Sequence, residues 1–543
     1  MTLDLDTVTP KAADWFTPRV RYEGRGRAEF KDPKGTVEGQ AAACFDENGN
    51  SSIELIVDKV ECERELHFGI QELLAGGKPV RNGKVVSFWV GTETNPCTSF
   101  SLKTAAGMFS ARDGIRLQEY SLGETADLKF HSLRSQFDTA AADGQPKYWV
   151  LPLSNFGPEF HFSHPTLDSH PLRIYPTPSI PEGLNTKDAV LAAIRANEQN
   201  KLIIFEFNGS LGFIEPLADF EQRVEQLKSG RCERIVTAVM AAEIPNGSDL
   251  RNLEIWLPFD FLLLLGLAVG NKTGTPWIEL RGESGALIQR IHEEAGLGTF
   301  MRGRPAISGG IGALLSQCRT SMHFGGDTLR VALKSAIQGG QSDRTLEERM
   351  AHISRGFDCL CKHFGFGTQQ LTHLLEPSEK QLVKQALGSA AAAIREAAAS
   401  CSDRVKSDRL RKIADRTIDA ASQDRDFGLA VSDLLRSFDF PDARIIDSHF
   451  QTHPRKDGKL TWSSVVSSYR GDAIHKYLDV RADPTALEDA LIVTDHCHDI
   501  LVRVILKMLN YSGAYRPMMR PTPNEKPVDW VQATTLPSEL GYR

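Results

Sequence analysis

The chain has 543 residues, of which 41% are hydrophobic and 24% are charged. This balance is ordinary for a globular protein and excludes a long disordered or fibrous chain. The formal net charge of −7 excludes a protein that binds nucleic acid through its overall charge. The charge is unevenly spread, since residues 1–304 carry −9 and residues 305–543 carry +2. The C-terminal part therefore approaches a polyanion more easily.

Cysteine usage and the N-terminal sequence bear on the compartment. The nine cysteines follow no regular spacing and are odd in number, which predicts free thiols in a reducing compartment. Residues 1–14 are acidic and have no apolar signal core. The longest apolar run, residues 261–269, is half of the ~20 residues that cross a bilayer, so it predicts a buried element. We expect a cytoplasmic protein with no membrane partner.

Residues 1–175 are predicted to form a β-rich N-terminal domain. Several runs with β-branched and aromatic residues end at turn signals that contain Gly, Asn, Asp or Pro. The spacing favours an antiparallel sheet that is sandwich- or barrel-like. The strands that these runs predict span residues 20–30, 36–45, 51–60 and 83–91.

Residues 176–304 are predicted to be a mixed α/β part of the same N-terminal region. Residues 185–199 have the pattern of a helix. Residues 201–216 and 233–245 have that of strands, and residues 276–291 that of a hairpin around a Gly-Glu-Ser-Gly turn. The region has no phosphate-binding loop and no dinucleotide fingerprint. The sequence therefore predicts a sensing or regulatory role here rather than a second catalytic activity.

Residues 305–543 are predicted to form an all-α domain. Glycines and Pro305 in residues 301–312 mark the boundary. Apolar residues at three- and four-residue spacing then predict helices, two of them capped by Ser378 and Ser402. The predicted fold class is a multidomain α+β protein whose second domain is a helical bundle. The six predicted helices span residues 344–365, 378–400, 402–421, 424–438, 462–478 and 484–509.

The fifth of these helices contains a motif that points to chemistry. Arg470 is followed after four residues by His475, and Tyr477 comes two residues later. In a late helix of a bundle, this pattern resembles the toxin members of the HEPN superfamily (higher eukaryotes and prokaryotes nucleotide-binding). The first predicted helix, over residues 344–360, and the β-rich region in front resemble ApeA-type abortive-infection proteins. In the helical domain the resemblance rests on the residue pattern. In the β-rich N-terminal region it rests on the order of the domains alone.

The resemblance implies a function. It implies a HEPN bundle that acts as a metal-independent endoribonuclease in prokaryotic anti-phage defence. The partners that it implies are an RNA substrate, a second copy of the chain bound through the HEPN domain, and a phage-derived trigger at the N-terminal region. No cofactor or metal is implied. Arg470 and His475 are the catalytic residues, with Asp472 and Tyr477 in supporting or regulatory roles.

The residue types suit metal-independent cleavage of RNA. His475 can take the proton of a ribose 2′-hydroxyl, because an imidazole changes its charge near neutral pH. Arg470 supplies a permanent forked cation that matches phosphate oxygens. The product would end in a 2′,3′-cyclic phosphate. DNA lacks the 2′-hydroxyl and would be spared.

The spacing of the motif bears on the assembly. Five residues turn an α-helix by about 500°, so Arg470 and His475 point about 140° apart. One regular helix does not aim both side chains at one phosphate. The resemblance implies that two HEPN domains pair and that each protomer contributes to one composite cleft. Tyr477 shares a face with Arg470, and in HEPN toxins a tyrosine at this place is an adenylylation target that silences the enzyme.

Gly471 departs from the family pattern, in which the residue after the arginine is usually polar. The polar Asp472 comes one residue later. A glycine weakens a helix by ~1 kcal/mol, so it marks either a bend that brings Arg470 and His475 closer or an inactive domain. The alternative function is a non-catalytic HEPN scaffold or nucleotide-binding protein whose β-rich part binds a partner or trigger. Metal or carbohydrate binding by the β-rich part has little support in the sequence.

Other cysteines and histidines are predicted to be structural. Cys359 and His363 share a helix face but Cys361 faces away, and a zinc site needs three or four convergent ligands. The sequence therefore predicts core thiols and no metal. His496 and His498 point about 200° apart and are predicted to be surface histidines, unless one of them lines the HEPN cleft.

Two further groups remain open. His161, His164 and His170 lie in a Pro-interrupted loop, for which ordinary polar residues are favoured over a metal or sensor contact. One predicted helix has a basic stretch that would either follow an RNA backbone or form a solvated face paired with interspersed aspartates. The basic residues are Arg404, Lys406, Arg409, Arg411, Lys412 and Arg416.

Overall fold

The structure is a computed structural model of the chain. The chain divides into two compact units, Met1–Arg319 and Thr320–Arg543. The predicted boundary after residue 304 lies on the N-terminal side of this division. The structure describes residues 12–31, 34–58, 79–82, 85–89, 97–122, 125–140, 145–157, 203–207, 210–244, 250–293, 300–301, 303, 305–307, 311–366, 376–419, 427–438, 461, 463–467 and 484–511.

The first unit is built on one large sheet. Its described strands all pair antiparallel, in the order β10-β11-β12-β9-β13-β14-β8-β3-β2-β1-β6-β7-β5-β4. Their bounds are β1 Arg19–Lys31, β2 Lys34–Asp46, β3 Ser51–Asp58, β4 Pro79–Asn82, β5 Val85–Trp89, β6 Cys97–Lys103, β7 Gly107–Leu122, β8 Thr125–Thr139, β9 Tyr148–Ser154, β10 Ile203–Phe207, β11 Ser210–Pro216, β12 Val236–Glu243, β13 Trp277–Arg281 and β14 Leu287–Glu293.

Six of these strands close into a ring. They pair in the order β8–β3–β2–β1–β6–β7, and a further pairing of β7 with β8 completes the circle. The side chains of β1 alternate between exposed and buried, as expected for a strand with one face towards a core. That core contains Phe100, Phe109, Phe130 and Phe137. The ring thus gives the first unit an aromatic core on which the other strands extend the sheet.

The strands β9, β12 and β13 are buried on both faces, which explains the nearly continuous apolar sequences of β9 and β12. Every side chain of β9 is buried. Tyr148 packs against Trp15 with ring centroids 6.1 Å apart. The next residue, Trp149, faces the other way and lies 5.6 Å from the ring of Phe261. Phe261 belongs to helix α2 (Leu250–Val269), and the apolar run of residues 261–269 is largely buried, as predicted.

Helices dominate the second unit. The described chain has α1 and α2 in the first unit, α3 begins in the first and ends in the second, and the rest lie in the second. Helix α3 is interrupted at Gly326, whose φ of 54° is left-handed. The bounds are α1 Phe220–Lys228, α2 Leu250–Val269, α3 Ile311–Gly339, α4 Leu346–His363, α5 Pro377–Ala399, α6 Arg404–Asp419, α7 Phe427–Ser437 and α8 Pro484–Met508.

Both predicted helix caps are wrong, and a cap that was not predicted is present at Thr345. Thr345 caps α4 in a reciprocal capping box with Glu348. The predicted cap Ser378 is wrong, because Pro377 fits the first helical position and moves the cap to Glu376. The predicted cap Ser402 is also wrong. The Asp403 carboxylate, one residue nearer, accepts from the backbone N–H of Val405 and Lys406 at 2.9 and 3.3 Å.

The prediction of an α+β protein, with a large antiparallel sheet in the N-terminal half and helices in the C-terminal half, is confirmed. The predicted strands over residues 20–30, 36–45, 201–216 and 233–245 and the hairpin of residues 276–291 are present. The predicted helix of residues 185–199 lies outside the described residues.

Candidate functional site

The four residues of the predicted motif lie outside the described residues, which break off between 467 and 484. The elements on either side are described. Residues 463–467 are helical, and their start is fixed by Thr461, whose backbone N–H donates to Ser464 Oγ at 3.0 Å. Val465 and Val466 are buried. Helix α8 begins at Pro484. The motif residues not described are Arg470, Asp472, His475 and Tyr477.

Arg349 is the centre of a polar cluster in the helical unit. It lies on α4 and is 6% exposed. Its Nε–H donates to the carbonyl of Gly339 at 2.9 Å, and its Nη2–H donates to Asp495 Oδ1 on α8 at 2.6 Å. A cation is favourable at this place because the last carbonyls of a helix have no partner within the helix. One guanidinium therefore links α4, the end of α3 and α8.

His498 stabilises the same helix end. Its Nε2 lies 2.7 Å from the carbonyl of Ala336. Because a carbonyl only accepts, the proton must be on Nε2. The imidazole fits because Gly340 has no side chain, since a Cβ there would lie 2.9 Å from Nε2. The prediction of surface histidines is wrong for His498, which is 3% exposed.

Helix α8 carries a row of charged side chains. Asp495, Asp499 and Arg503 follow one another at four-residue spacing, which places them on one face. Asp499 and Arg503 are buried, at 1% and 3% exposed. A buried charge is costly unless it is paired, so two buried charged residues on one helix face are unusual. This face belongs to α8, the described helix that follows the motif in the sequence.

A second buried ionic cluster lies in the first unit. Glu279 on β13 accepts from two arginines, from Arg281 Nε at 2.6 Å and from Arg290 Nε at 2.8 Å. Arg290 also donates through Nη1 to the hydroxyl of Tyr22 at 3.1 Å. Burial raises the pKa of Tyr22 against the opposing effect of Arg290. Two cations thus share one carboxylate, and a neutral phenol satisfies a further N–H of one of them.

His292 continues this network into the aromatic core. Its Nε2 is 3.2 Å from the hydroxyl of Tyr22. Because Tyr22 accepts from Arg290, its own O–H donates to Nε2, and the His292 proton must then be on Nδ1. Burial and the neighbouring Arg290 cation lower the pKa of His292 well below its ordinary value. The ring is neutral and stacks on Phe45, with centroids 3.6 Å apart.

Three neighbouring side chains in this part of the sheet have a buried polar atom without a hydrogen-bond partner. Trp277 pairs with His292 across β13 and β14, and His292 pairs with Ser135 across β14 and β8. The atoms are Trp277 Nε1, His292 Nδ1 and Ser135 Oγ. Buried polar groups nearly always have a hydrogen-bond partner, so three neighbouring side chains with an unpartnered polar atom are unusual. Sequence reasoning missed this row and the Glu279 cluster.

The remaining predicted candidates either do not form a common site or lie outside the described residues. Cys361 is buried, Cys359 is half-buried and His363 is exposed. Burial raises the pKa of the Cys361 thiol to about 12, as for a core thiol. Among the described residues, no group of three or more His, Cys, Asp or Glu side chains is placed to hold a metal ion. His161, His164 and His170 lie outside the described residues.

Comparison with known proteins gives no relative: no protein-family description, curated protein or solved structure matches the chain. Within the described parts of the chain, none of the helices is both long enough and apolar enough to span a membrane.

Proposed function

We propose that the protein is a metal-independent endoribonuclease of the HEPN type that acts in prokaryotic anti-phage defence. The observation that carries the proposal is the motif Arg470, four residues, His475, one residue, Tyr477. It stands between the helical residues 463–467 and helix α8, in a unit whose described elements are helices. A β-rich unit precedes it, as in the ApeA-type proteins that the sequence resembles.

The proposed chemistry uses the two catalytic residues in different roles. His475 takes the proton of the 2′-hydroxyl as the oxygen attacks the adjacent phosphorus. The P–O5′ bond breaks, and the leaving oxygen takes up a proton. Arg470 stabilises the charge that develops on the phosphate oxygens, since its guanidinium forms paired hydrogen bonds with them. The products are a 2′,3′-cyclic phosphate and a 5′-hydroxyl.

The proposed active form is a homodimer. Arg470 and His475 point about 140° apart on a regular helix, so one protomer does not supply both to the same phosphate. Two helical units that pair around their motif helices would bring an arginine and a histidine together in a composite cleft. Asp472 would support this cleft, and a modified Tyr477 would block it. The acidic N-terminal unit would hold the trigger site, where a phage-derived molecule would raise the basal cleavage that the purified protein already shows.

Gly471 favours a second candidate, a non-catalytic HEPN scaffold whose β-rich unit binds a partner. A glycine in place of the usual polar residue after the motif arginine can remove catalytic activity and leave the fold of the helical domain intact. The substitution Gly471→Asn separates the two. The scaffold function predicts that wild type is silent and that Gly471→Asn gains cleavage. The ribonuclease function predicts that wild type already cuts.

The experiment is cleavage of total cellular RNA by the purified full-length protein in excess EDTA. Wild type is compared with His475→Ala and Arg470→Ala. Matched controls are His363→Ala, an exposed histidine of α4, and Arg436→Ala, an arginine whose side chain is 78% exposed. Cutting by wild type and both controls, with both motif variants silent, supports the proposal. Equal cutting by the motif variants excludes the site assignment.

A further inference from the structure

The helices α5 and α6 form a hairpin whose inner face is made of small residues. Four residues join them, and each contacts the other more extensively than any other described element. The buried residues between them are Ala391, Ala398, Ser407 and Ala414, and Ser407 Oγ donates to the carbonyl of Ala398 at 2.8 Å. Nearly all other side chains of the hairpin are at least partly exposed. One whole face of α6 is therefore open in the described structure.

That open face of α6 carries three cations, Arg409, Lys412 and Arg416, which we name the cationic stripe. They are spaced by three and four residues, so they lie in one row. The row is opposite to Ser407, since Arg409 is two residues, or about 200°, further on. All three side chains are exposed. The stripe spans about 10 Å along the helix axis.

The stripe differs from three other cations of the hairpin in having no acidic partner among the described residues. Lys406 lies 3.9 Å from Asp403, Arg411 lies 4.0 Å from Asp408, and Arg395 lies 2.8 Å from Asp415. No ion pair joins any member of the stripe to another described residue. The sequence left open whether the basic stretch is a salt-bridged face. In the structure, Lys406 and Arg411 of this stretch are paired, whereas Arg404 and the three members of the stripe form no ion pair with a described residue.

An unpaired row of cations on a helix fits an extended anion. We propose that the cationic stripe binds the sugar-phosphate backbone of RNA and so holds the substrate; this rests on the proposed ribonuclease function. Two guanidiniums and an ammonium suit phosphate oxygens. Helix α6 has no aromatic side chain on which a base could stack, so binding is independent of base sequence. The absence of Trp and Phe also distinguishes α6 from helices that lie in a membrane surface.

The test uses an RNA that binds but cannot be cut. The probe is a fluorescein-labelled mixed-sequence RNA of about 20 nucleotides with 2′-O-methyl groups throughout, which blocks attack by the 2′-oxygen. Fluorescence anisotropy gives the affinity of the full-length protein at several salt concentrations. The stripe variant is Arg409→Gln with Lys412→Gln and Arg416→Gln. The matched control is Arg395→Gln with Lys406→Gln and Arg411→Gln.

Both triple variants remove two arginines and one lysine from exposed positions of the same hairpin, and glutamine keeps helix propensity. We expect the stripe variant to bind roughly tenfold more weakly in low salt. The slope of log affinity against log salt should become less negative by about 2, since three phosphate contacts contribute about 0.7 each. The control should change affinity by less than about threefold.

Two results overturn the inference. One is an equal loss in both triple variants, which would mean that only overall charge matters. The other is unchanged RNA binding by the stripe variant. Loss of binding to vesicles that contain phosphatidylserine, measured in parallel, would not rescue the inference. The proposed ribonuclease function is tested separately, because it fails if wild type leaves natural RNA uncut in EDTA. Binding of the uncleavable RNA by the stripe does not depend on that result.

Discussion

Arg349 and Asp495 form an ion pair between α4 and α8, with Nη2 and Oδ1 2.6 Å apart. The side chains are 8% and 18% exposed, so the pair is largely shielded from water. The same guanidinium donates to the carbonyl of Gly339. The pair therefore fixes three helix segments of the second unit at one point, and the segment that holds the motif lies directly before α8 in the sequence.

Loss of this pair should destabilise the helical unit strongly. Asp495→Ala leaves a buried guanidinium with half of its partners, and we expect the free energy of unfolding to fall by about 3 kcal/mol. The measurement is urea unfolding followed by circular dichroism at 222 nm. Asp415→Ala is the control, because it breaks a 2.8 Å pair whose side chains are 51% and 64% exposed. That control should lose about 0.5 kcal/mol or less.

Glycine-to-alanine changes should have opposite signs at two helical-unit positions. A Cβ at Gly340 would lie 2.9 Å from His498 Nε2, and His498 is held by a hydrogen bond, so Gly340→Ala should cost about 1–3 kcal/mol. Gly388 lies inside α5 with no atom within 4 Å of an added Cβ. Gly388→Ala should stabilise the protein by up to about 1 kcal/mol. Thermal unfolding of both variants would refute this account if they shifted in the same direction.

The carboxylate of Glu279 should be essential to the first unit. Glu279→Gln keeps the shape but removes the charge that Arg281 and Arg290 share, and we expect a loss of about 3 kcal/mol. Tryptophan fluorescence during urea unfolding follows this unit, since five of the seven tryptophans lie within residues 1–319. Glu283→Gln is the control, because its side chain is 85% exposed in its pair with Lys147. A loss as large in the control would contradict the role given to Glu279.

His292 should make the first unit sensitive to acid. Its pKa is lowered in the folded state by burial and by Arg290, so below about pH 6.5 the unfolded chain binds a proton that the folded chain does not. Stability is then present above the unfolded pKa and is lost as the pH falls, by up to about 1.4 kcal/mol per pH unit.

The variant His292→Gln isolates this effect. Gln can accept from the Tyr22 hydroxyl but does not titrate, so the difference in stability between wild type and variant should shrink as the pH falls from 7 to 5. Other groups titrate in both proteins and cancel in the difference. A difference that stays constant over this range would show that His292 is not the group responsible.

The sequence predicts those parts of the fold that depend on local pattern. The β-branched and aromatic runs between turn signals, and the three- and four-residue apolar spacing of the helices, are visible in the residues themselves. The strand Trp277–Arg281 is too, but the burial of its Glu279 and Arg281 is not, since it depends on Arg290 of the partner strand. A strand with charges at alternate positions predicts a solvated face unless its neighbour supplies the opposite charge.

The same limit applies to the helical unit. His498 looks like a surface residue beside Asp495 and Asp499, and it is buried because glycines at the end of α3 let α8 approach. Asp415 likewise pairs with Arg395 of α5, 20 residues away, rather than with a cation of its own helix. Partners that are distant in sequence determine these features, whereas the periodicity of a helix or strand is local. The catalytic assignment of Arg470 and His475 stays a prediction.

The measurement that tests the central claim most directly is the chemistry of the RNA ends after digestion in EDTA. We predict that wild type leaves 2′,3′-cyclic phosphate and 5′-hydroxyl ends, that His475→Ala leaves none, and that RNA with 2′-O-methyl groups resists cleavage. Ends with a 3′-hydroxyl and a 5′-phosphate, or cyclic-phosphate ends formed equally by His475→Ala, would contradict it.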